Sequence, residues 1–358
     1  MIKFILRRVL MTIPVLIGIT FLVFALARLV PGDPCRAVLG ERATDAVCND
    51  FIIRYGLDQP IPIQFVSYLE QLASGDLGTS IKHSRPVTTL LIERLPTTVE
   101  LTLLAMLFAT FLGVPLGLLS AYRRNSPVDV GTMMFANLGV SIPIFVLGLI
   151  LAFVFAILLK DTPFSLPPSG RLSSGVSVVP LAVAWGLEDW TGPPRAFLDF
   201  VSGIYIFSGL ISGQWGPAAD AFRHMILPAI ALGTIPLAII ARITRSSLLE
   251  VLGLDFIRTA RAKGLGERAV ILRHGARNAM LPVVTIIGLQ LGLLLSGAVL
   301  TETVFNLAGV GRSLFEAISG RDYVVIQGFT LLIAFGYVTI NLIVDISYGF
   351  LDPRIRLQ

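Results

Sequence analysis

The side chains able to do chemistry are few and scattered. His83, His224 and His274 lie far apart, and Cys35 and Cys48 form no C-x-x-C pair, so ligand spacing gives a metal site no support. None of Lys3, Lys82, Lys160 or Lys263 follows a glycine, which removes the Gly-Lys step of a phosphate-cradling loop. There is no G-x-S-x-G elbow, and no carboxylate pair at helical spacing inside an apolar run. The one concentration of ionisable groups is cationic: eight Lys and Arg fall between residues 242 and 278. Such a segment can recognise and dock; it is not built to make or break bonds.

The elements that must carry this segment follow from composition. Of 358 residues 54% are hydrophobic and 14% charged, against roughly 45–50% and about 25% in soluble domains, and mean hydropathy is +0.81. A water-soluble fold could not cover that apolar surface, so the chain is expected to be an all-α polytopic membrane protein. Crossing roughly 30 Å of hydrocarbon takes about 20 residues of helix. Six uncharged runs meet or approach that length, at 9–27, 101–122, 130–159, 225–241, 279–301 and 323–344. Lipid offers the backbone no partner, so each is expected to be helical, with Pro14, Pro115, Pro143, Pro228, Pro236 and Pro282 marking kinks or ends. The first run is longer than a signal-peptide core of about 7–15 residues and is expected to remain as a span.

Charge sets the orientation. With the N-terminus inside, residues 1–8, 122–132, 242–278 and 352–358 carry 15 Lys and Arg in 63 positions, while 31–99, 160–224 and 302–322 carry 12 in 155. That bias predicts six spans with both termini cytoplasmic and extracytoplasmic lobes at 31–99 and 160–224. It also accounts for most of the +5 net charge without nucleic acid as a partner. Two further uncharged stretches, 172–187 and 200–219, must both cross or both stay outside to preserve this bias. An external lobe with re-entrant or interfacial helices is favoured. Cys35 and Cys48 fall in the first lobe, where thiols oxidise, and read either as a disulfide or as two small buried hydrophobes. Gly113 with Gly117, and Gly288 with Gly292, carry G-x-x-x-G spacing and predict close helix contact. Glu302 and Asp345 sit near helix ends.

Within the cationic loop, Phe256, Ile257 and Ala260 are spaced to share a helical face. Arg258, Arg261 and Lys263 present charge, and Ala260, Ala262 and Gly264 leave room for another surface. Leu265 follows the stop at Gly264. This is the profile of a docking knob or of an amphipathic helix on anionic lipid.

The stretch Arg258-Thr259-Ala260-Arg261-Ala262-Lys263-Gly264-Leu265 resembles the "EAA" coupling loop of binding-protein-dependent ABC importer permeases, in the dipeptide and oligopeptide branch. Further pieces of the same branch are Leu29 to Pro34, Gly56 to Pro60, Gly75 to Gly78 with Ser80, and Ile226 to Ala229. They continue with His274 to Ala279, Leu281-Pro282, Leu300 to Phe305, Gly309 to Gly311, Arg321 to Tyr323 and Asp352 to Arg356. The resemblance spans nearly the whole chain. It departs from the broad family where Glu-Ala-Ala becomes Arg258-Thr259-Ala260, implying a positive knob and an acidic partner groove.

What the resemblance implies is a type I importer permease fold: an N-terminal helix at 1–30, a lobe at 31–99, a transmembrane domain at 100–352 and a tail at 353–358. It implies a bacterial inner-membrane subunit that is not itself an enzyme and binds no cofactor, with ATP and Mg on partner ATPases. The partners would be a second homologous permease, two ATPase subunits and an extracytoplasmic solute-binding protein. Phe256 to Leu265 would dock the ATPase, and Arg277 and Asn278 would cap or orient the fifth span. Peptide, glutathione and nickel importers share this wording. A stand-alone secondary transporter is disfavoured because no charge sits mid-span as an ion relay would need.

Overall fold

A computed structural model describes residues 2–29, 35–36, 40, 42–54 and 56–351. The sequence motifs at 30–34 and 352–356, and the tail at 353–358, lie outside the described residues. Those residues form helices joined by loops and one isolated bridge, between Thr79 and Pro86. The helices used below are α1 (Ile2–Leu29), α2 (Asp45–Arg54), α3 (Ile61–Ala73), α4 (Val87–Tyr122), α5 (Pro127–Ser141), α6 (Ile144–Phe153) and α7 (Gly192–Ser202). They continue with α8 (Tyr205–Ile211), α9 (Trp215–Leu252), α10 (Asp255–Ala262), α11 (Arg277–Gly297), α12 (Val299–Val304), α13 (Val310–Ser319) and α14 (Tyr323–Leu351). Five helical stretches among the described residues are long and apolar enough to cross a membrane: α1, α4, α9, α14, and the continuous run from Glu267 through α11.

The expected third span, 130–159, is two helices bent by 102°, which makes it a broken span or a re-entrant loop. The cause is local. Ile142 is extended (φ −107°, ψ 128°) because the ring of Pro143 disfavours the α region in the residue before it, and Pro143 (ψ 135°) is extended in turn. Two successive extended residues swing the chain. Pro14, Pro96, Pro115, Pro228, Pro236 and Pro282 all lie inside unbroken helices, where neighbouring helices hold the line. Helices also outrun the apolar windows: α4 starts fourteen residues before Leu101, and the fifth helical run starts at Glu267.

The core is the seam between α4 and α9. An added Cβ at Gly113 would sit 3.0 Å from the Leu237 carbonyl, at Gly117 2.5 Å from that of Ala241, and at Gly233 2.6 Å from that of Ala105. Backbones this close leave no room for a side chain, so the first G-x-x-x-G pair is a packing motif. The second serves α11 against α14: a Cβ at Gly288 would meet Val344 at 2.0 Å, and one at Gly292 would meet Tyr337 at 2.9 Å. Asp345 on α14 pairs with Arg8 on α1 at 3.0 Å.

Both lobes are anchored to this bundle by polar side chains. In the first, a disulfide joins Cys35 to Cys48, with Phe51 packed against it. Ser80 donates to Asp322 at 2.5 Å across 242 residues, and both are buried. In the second lobe, the stretch at 172–187 holds one helical turn, Leu181–Ala184, too short to cross, while 200–219 contributes α8 and the start of α9. The pair α7 and α8 is bent by 104°. Arg171 holds this lobe to α4 through a pairing with Glu100. Its guanidinium also donates to Thr97 at 2.9 Å and to the Gly203 carbonyl at 2.8 Å.

Candidate functional site

The short helix α10 is set off at both ends by backbone choices that the sequence dictates. Gly253 closes α9, and Leu254 turns extended (φ −79°, ψ 152°) to begin a new helix whose first turn carries Asp255. Gly264 takes φ +76°, the left-handed conformation that ends helices at little cost only for glycine. Within this chain nothing lies within 4 Å of a Cβ built there, so it is the backbone conformation that calls for glycine at this position.

The inner face of α10 is Ile257 and Ala260, both buried against Leu252 and Val270. Phe256 does not join them. It is 41% exposed, one residue round the helix from Ile257, and with Leu254 and Leu265 it forms an outward apolar set. This corrects the shared face expected for Phe256, Ile257 and Ala260, and it places small Ala260 inward instead of on the approach surface. Thr259, Ala262 and Lys263 are exposed. Arg258 pairs with Asp255 at 3.2 Å, and Arg261 donates to both carboxylate oxygens of Glu267, at 3.1 and 2.6 Å. The Glu267 carboxylate raises the Arg261 pKa further above its ordinary value. The outward surface of α10 is therefore apolar side chains interleaved with cations.

Behind α10 the chain runs as a π-helix, Val270–Ala276, directly into α11. Gly275 lets it lie on Leu248 and Leu252 of α9. Because helix continues from Glu267, Arg277 caps nothing: it is exposed inside the run, and Asn278 donates back to the His274 carbonyl at 2.7 Å.

A buried carboxylate, which sequence reading missed, braces this end. Asp129 at the start of α5 accepts Nε and Nη2 of Arg245, each at 2.8 Å, the Asn125 amide at 3.0 Å and the Ser120 hydroxyl. It locks the α4–α5 turn to α9. The signal was present, since Ser126 caps α5 with Asp129 three residues on, the spacing of a capping box.

At the opposite end, Glu302 is fully buried. It accepts from Thr98 at 2.6 Å and from the Arg312 amide at 2.8 Å, so it holds the N-terminus of α13. Thr98 in turn accepts the Val310 amide at 2.9 Å. Gly309 is obligatory, because a Cβ there would lie 2.3 Å from the Glu302 carboxylate. Burial raises the Glu302 pKa above its ordinary value, against the opposing pull of these donors. Two motifs separated in sequence, at 300–305 and 309–311, meet in this one network.

Residues 113–357 match the family described as binding-protein-dependent transport system inner membrane component, and residues 1–102 match the N-terminal part of such components. A dipeptide transport system permease protein of Alkalihalophilus pseudofirmus is 44% identical, covering 99% of this chain and all of the relative. A di/tripeptide transport system permease protein of Pseudomonas aeruginosa is 45% identical over the full length of both. A dipeptide transport system permease protein of Escherichia coli is 45% identical over 99% of each. With family matches over residues 1–102 and 113–357 and full-length likeness to such permeases, the chain belongs to the inner membrane components of binding-protein-dependent transport systems, as a multi-pass permease subunit.

Proposed function

We propose that this chain forms one half of the membrane path of an ABC importer for dipeptides and short oligopeptides, with a second homologous permease forming the other half. Two ATPase subunits bind on the cytoplasmic side and hydrolyse ATP, and an extracytoplasmic solute-binding protein delivers the peptide. Six spans with both termini cytoplasmic put α10 on the ATPase side, in keeping with the charge bias between loops. The observation that carries the reading is the surface of α10 and its two flanks, where exposed Phe256, with Leu254 and Leu265 just beyond the helix ends, lies near Arg258, Arg261 and Lys263 on an element clamped from behind by Ile257 and Ala260. Apolar anchors ringed by cations suit a groove with acidic walls. The substrate class comes from the full-length relatives, whose names give dipeptides and tripeptides.

Mechanically, closure of the ATPases on ATP would carry α10 with it. The buried Ile257 and Ala260 pass that displacement to the π-helix, and the Asp129–Arg245 brace passes it to α5 and α9. The test uses the assembled complex in proteoliposomes with the binding protein, ATP inside and a labelled dipeptide outside. Uptake should require ATP. Replacing Gly264 with Leu should leave membrane insertion intact, because the added strain is only about 1–2 kcal/mol, while removing ATPase co-purification and uptake. A chain that moves peptide without ATP, or a Gly264→Leu chain with normal uptake, overturns the reading.

A further inference from the structure

A cavity of about 480 Å³ lies where α1 ends, between α3 and the start of α14, apart from α10 and the α4–α9 seam. Arg28 enters it from α1. Its position is fixed on two sides: Nε donates to Gln64 at 2.5 Å, and the guanidinium lies 3.5 Å from the centre of the Phe24 ring. Gln64 is itself held by the Gln59 carbonyl, at 2.7 Å. This leaves Nη1 of Arg28 buried with no hydrogen-bond partner among the described residues.

Two more donors share the cavity in the same condition. The Tyr68 hydroxyl is unpartnered on a side chain stacked against Phe24 and 8% exposed, and the Gln327 amide nitrogen is unpartnered on one 6% exposed. Burial pushes the Tyr68 phenol up to about 12, so it remains a donor at physiological pH. Buried polar groups normally find partners, and two unmet N–H donors together with an unmet hydroxyl that can also donate, all on side chains lining one cavity, favour a ligand rich in acceptors. Charge agrees. The lining includes Arg28 and Arg54 against the single carboxylate Asp76, which already accepts the Gly78 amide at 2.8 Å.

We propose that Arg28, Tyr68 and Gln327 form an oxyanion site that holds the phosphate of a membrane phospholipid. The lipid assignment follows from place. Arg28 stands two residues beyond the apolar segment Arg7–Leu26, at headgroup depth, and Leu22 and Leu26 are 57% and 55% exposed on adjacent turns of the same helix. Phosphate above and an apolar lane below match a phospholipid. The site needs only that α1 spans the membrane, so it stands or falls independently of the peptide reading.

The assembled complex, purified and delipidated in detergent, is titrated with phosphatidylglycerol and followed by native mass spectrometry, with inorganic phosphate as a separate arm. Arg28→Met should weaken lipid binding about tenfold and Tyr68→Phe about threefold, with Arg28→Lys in between. Tyr68→Phe removes one oxygen and guards against a misfolded Arg28 variant. Unchanged lipid binding in a folded Tyr68→Phe chain together with unchanged binding in either Arg28 variant overturns the site. Inorganic phosphate bound as tightly as the lipid overturns the lipid assignment in favour of a soluble oxyanion.

Discussion

The helix α10 and the opposite end of the bundle treat charge in opposite ways. Around α10, Arg258 and Asp255 are 74% and 93% exposed, while at the other end Glu100, Glu302 and Asp322 are all at most 3% exposed and fully engaged by donors. Exposed charges held by short local pairs are free to exchange partners, which is what a docking surface requires. Buried charges with long-range partners fix geometry, because losing one partner strands the other away from water. The surface of α10 is built to be recognised, while the buried braces, Asp129–Arg245 beside it among them, are built to stay rigid.

Substitutions that break this contrast should rank by burial. Arg171→Met strands Glu100, and loss of a buried pair should cost about 3–5 kcal/mol, visible as a lower melting temperature of the complex and early proteolysis within 160–224. Arg171→Met combined with Glu100→Leu should recover much of the loss; no recovery would mean the pair is not the lobe's anchor. Removing the Cys35–Cys48 bridge by Cys→Ser at both positions should cost about 3 kcal/mol by loop closure. Alkylation without reductant should label neither thiol.

Glu302→Ala leaves Thr98 and the Arg312 amide without an acceptor, at about 1–3 kcal/mol. Its pH behaviour sharpens the point. Because the folded pKa is raised above 4.5, the native state holds this proton more tightly than the unfolded chain does. That contribution is complete below 4.5 and is lost as pH rises through the raised value. Melting across pH should show this decline in the parent and a flatter profile in Glu302→Gln. Smallest in stability is Arg258→Glu, within about 0.5 kcal/mol, yet it should weaken ATPase capture in pull-down. An unaltered pull-down would show that α10 is read by its apolar residues alone.

Much of the helical framework was legible because apolar length and glycine spacing are local properties of the chain. Gly113, Gly117, Gly288 and Gly292 needed only their own spacing to announce close contacts. The braces were not legible, since Arg171 finds Glu100 across 71 residues and Arg245 finds Asp129 across 116, and nothing near either residue specifies its partner. The break at Ile142 and Pro143 was hidden for a different reason. Proline is common in these helices, and whether it bends or merely interrupts a hydrogen bond depends on what packs beside it. On α10 the heptad-like spacing was right for Ile257 and Ala260 but one position too generous for Phe256.

The 38 residues of α9 remain one helix from Trp215 to Leu252 despite Pro228 and Pro236, giving a rod about 57 Å long. A rod of that length magnifies angle into distance. A tilt of about 10° at the end beside α10 moves the far end by about 10 Å, on the order of the width of a helix. Small rotations at one membrane face are thus enough to open or shut a gap the size of a side chain or larger at the other.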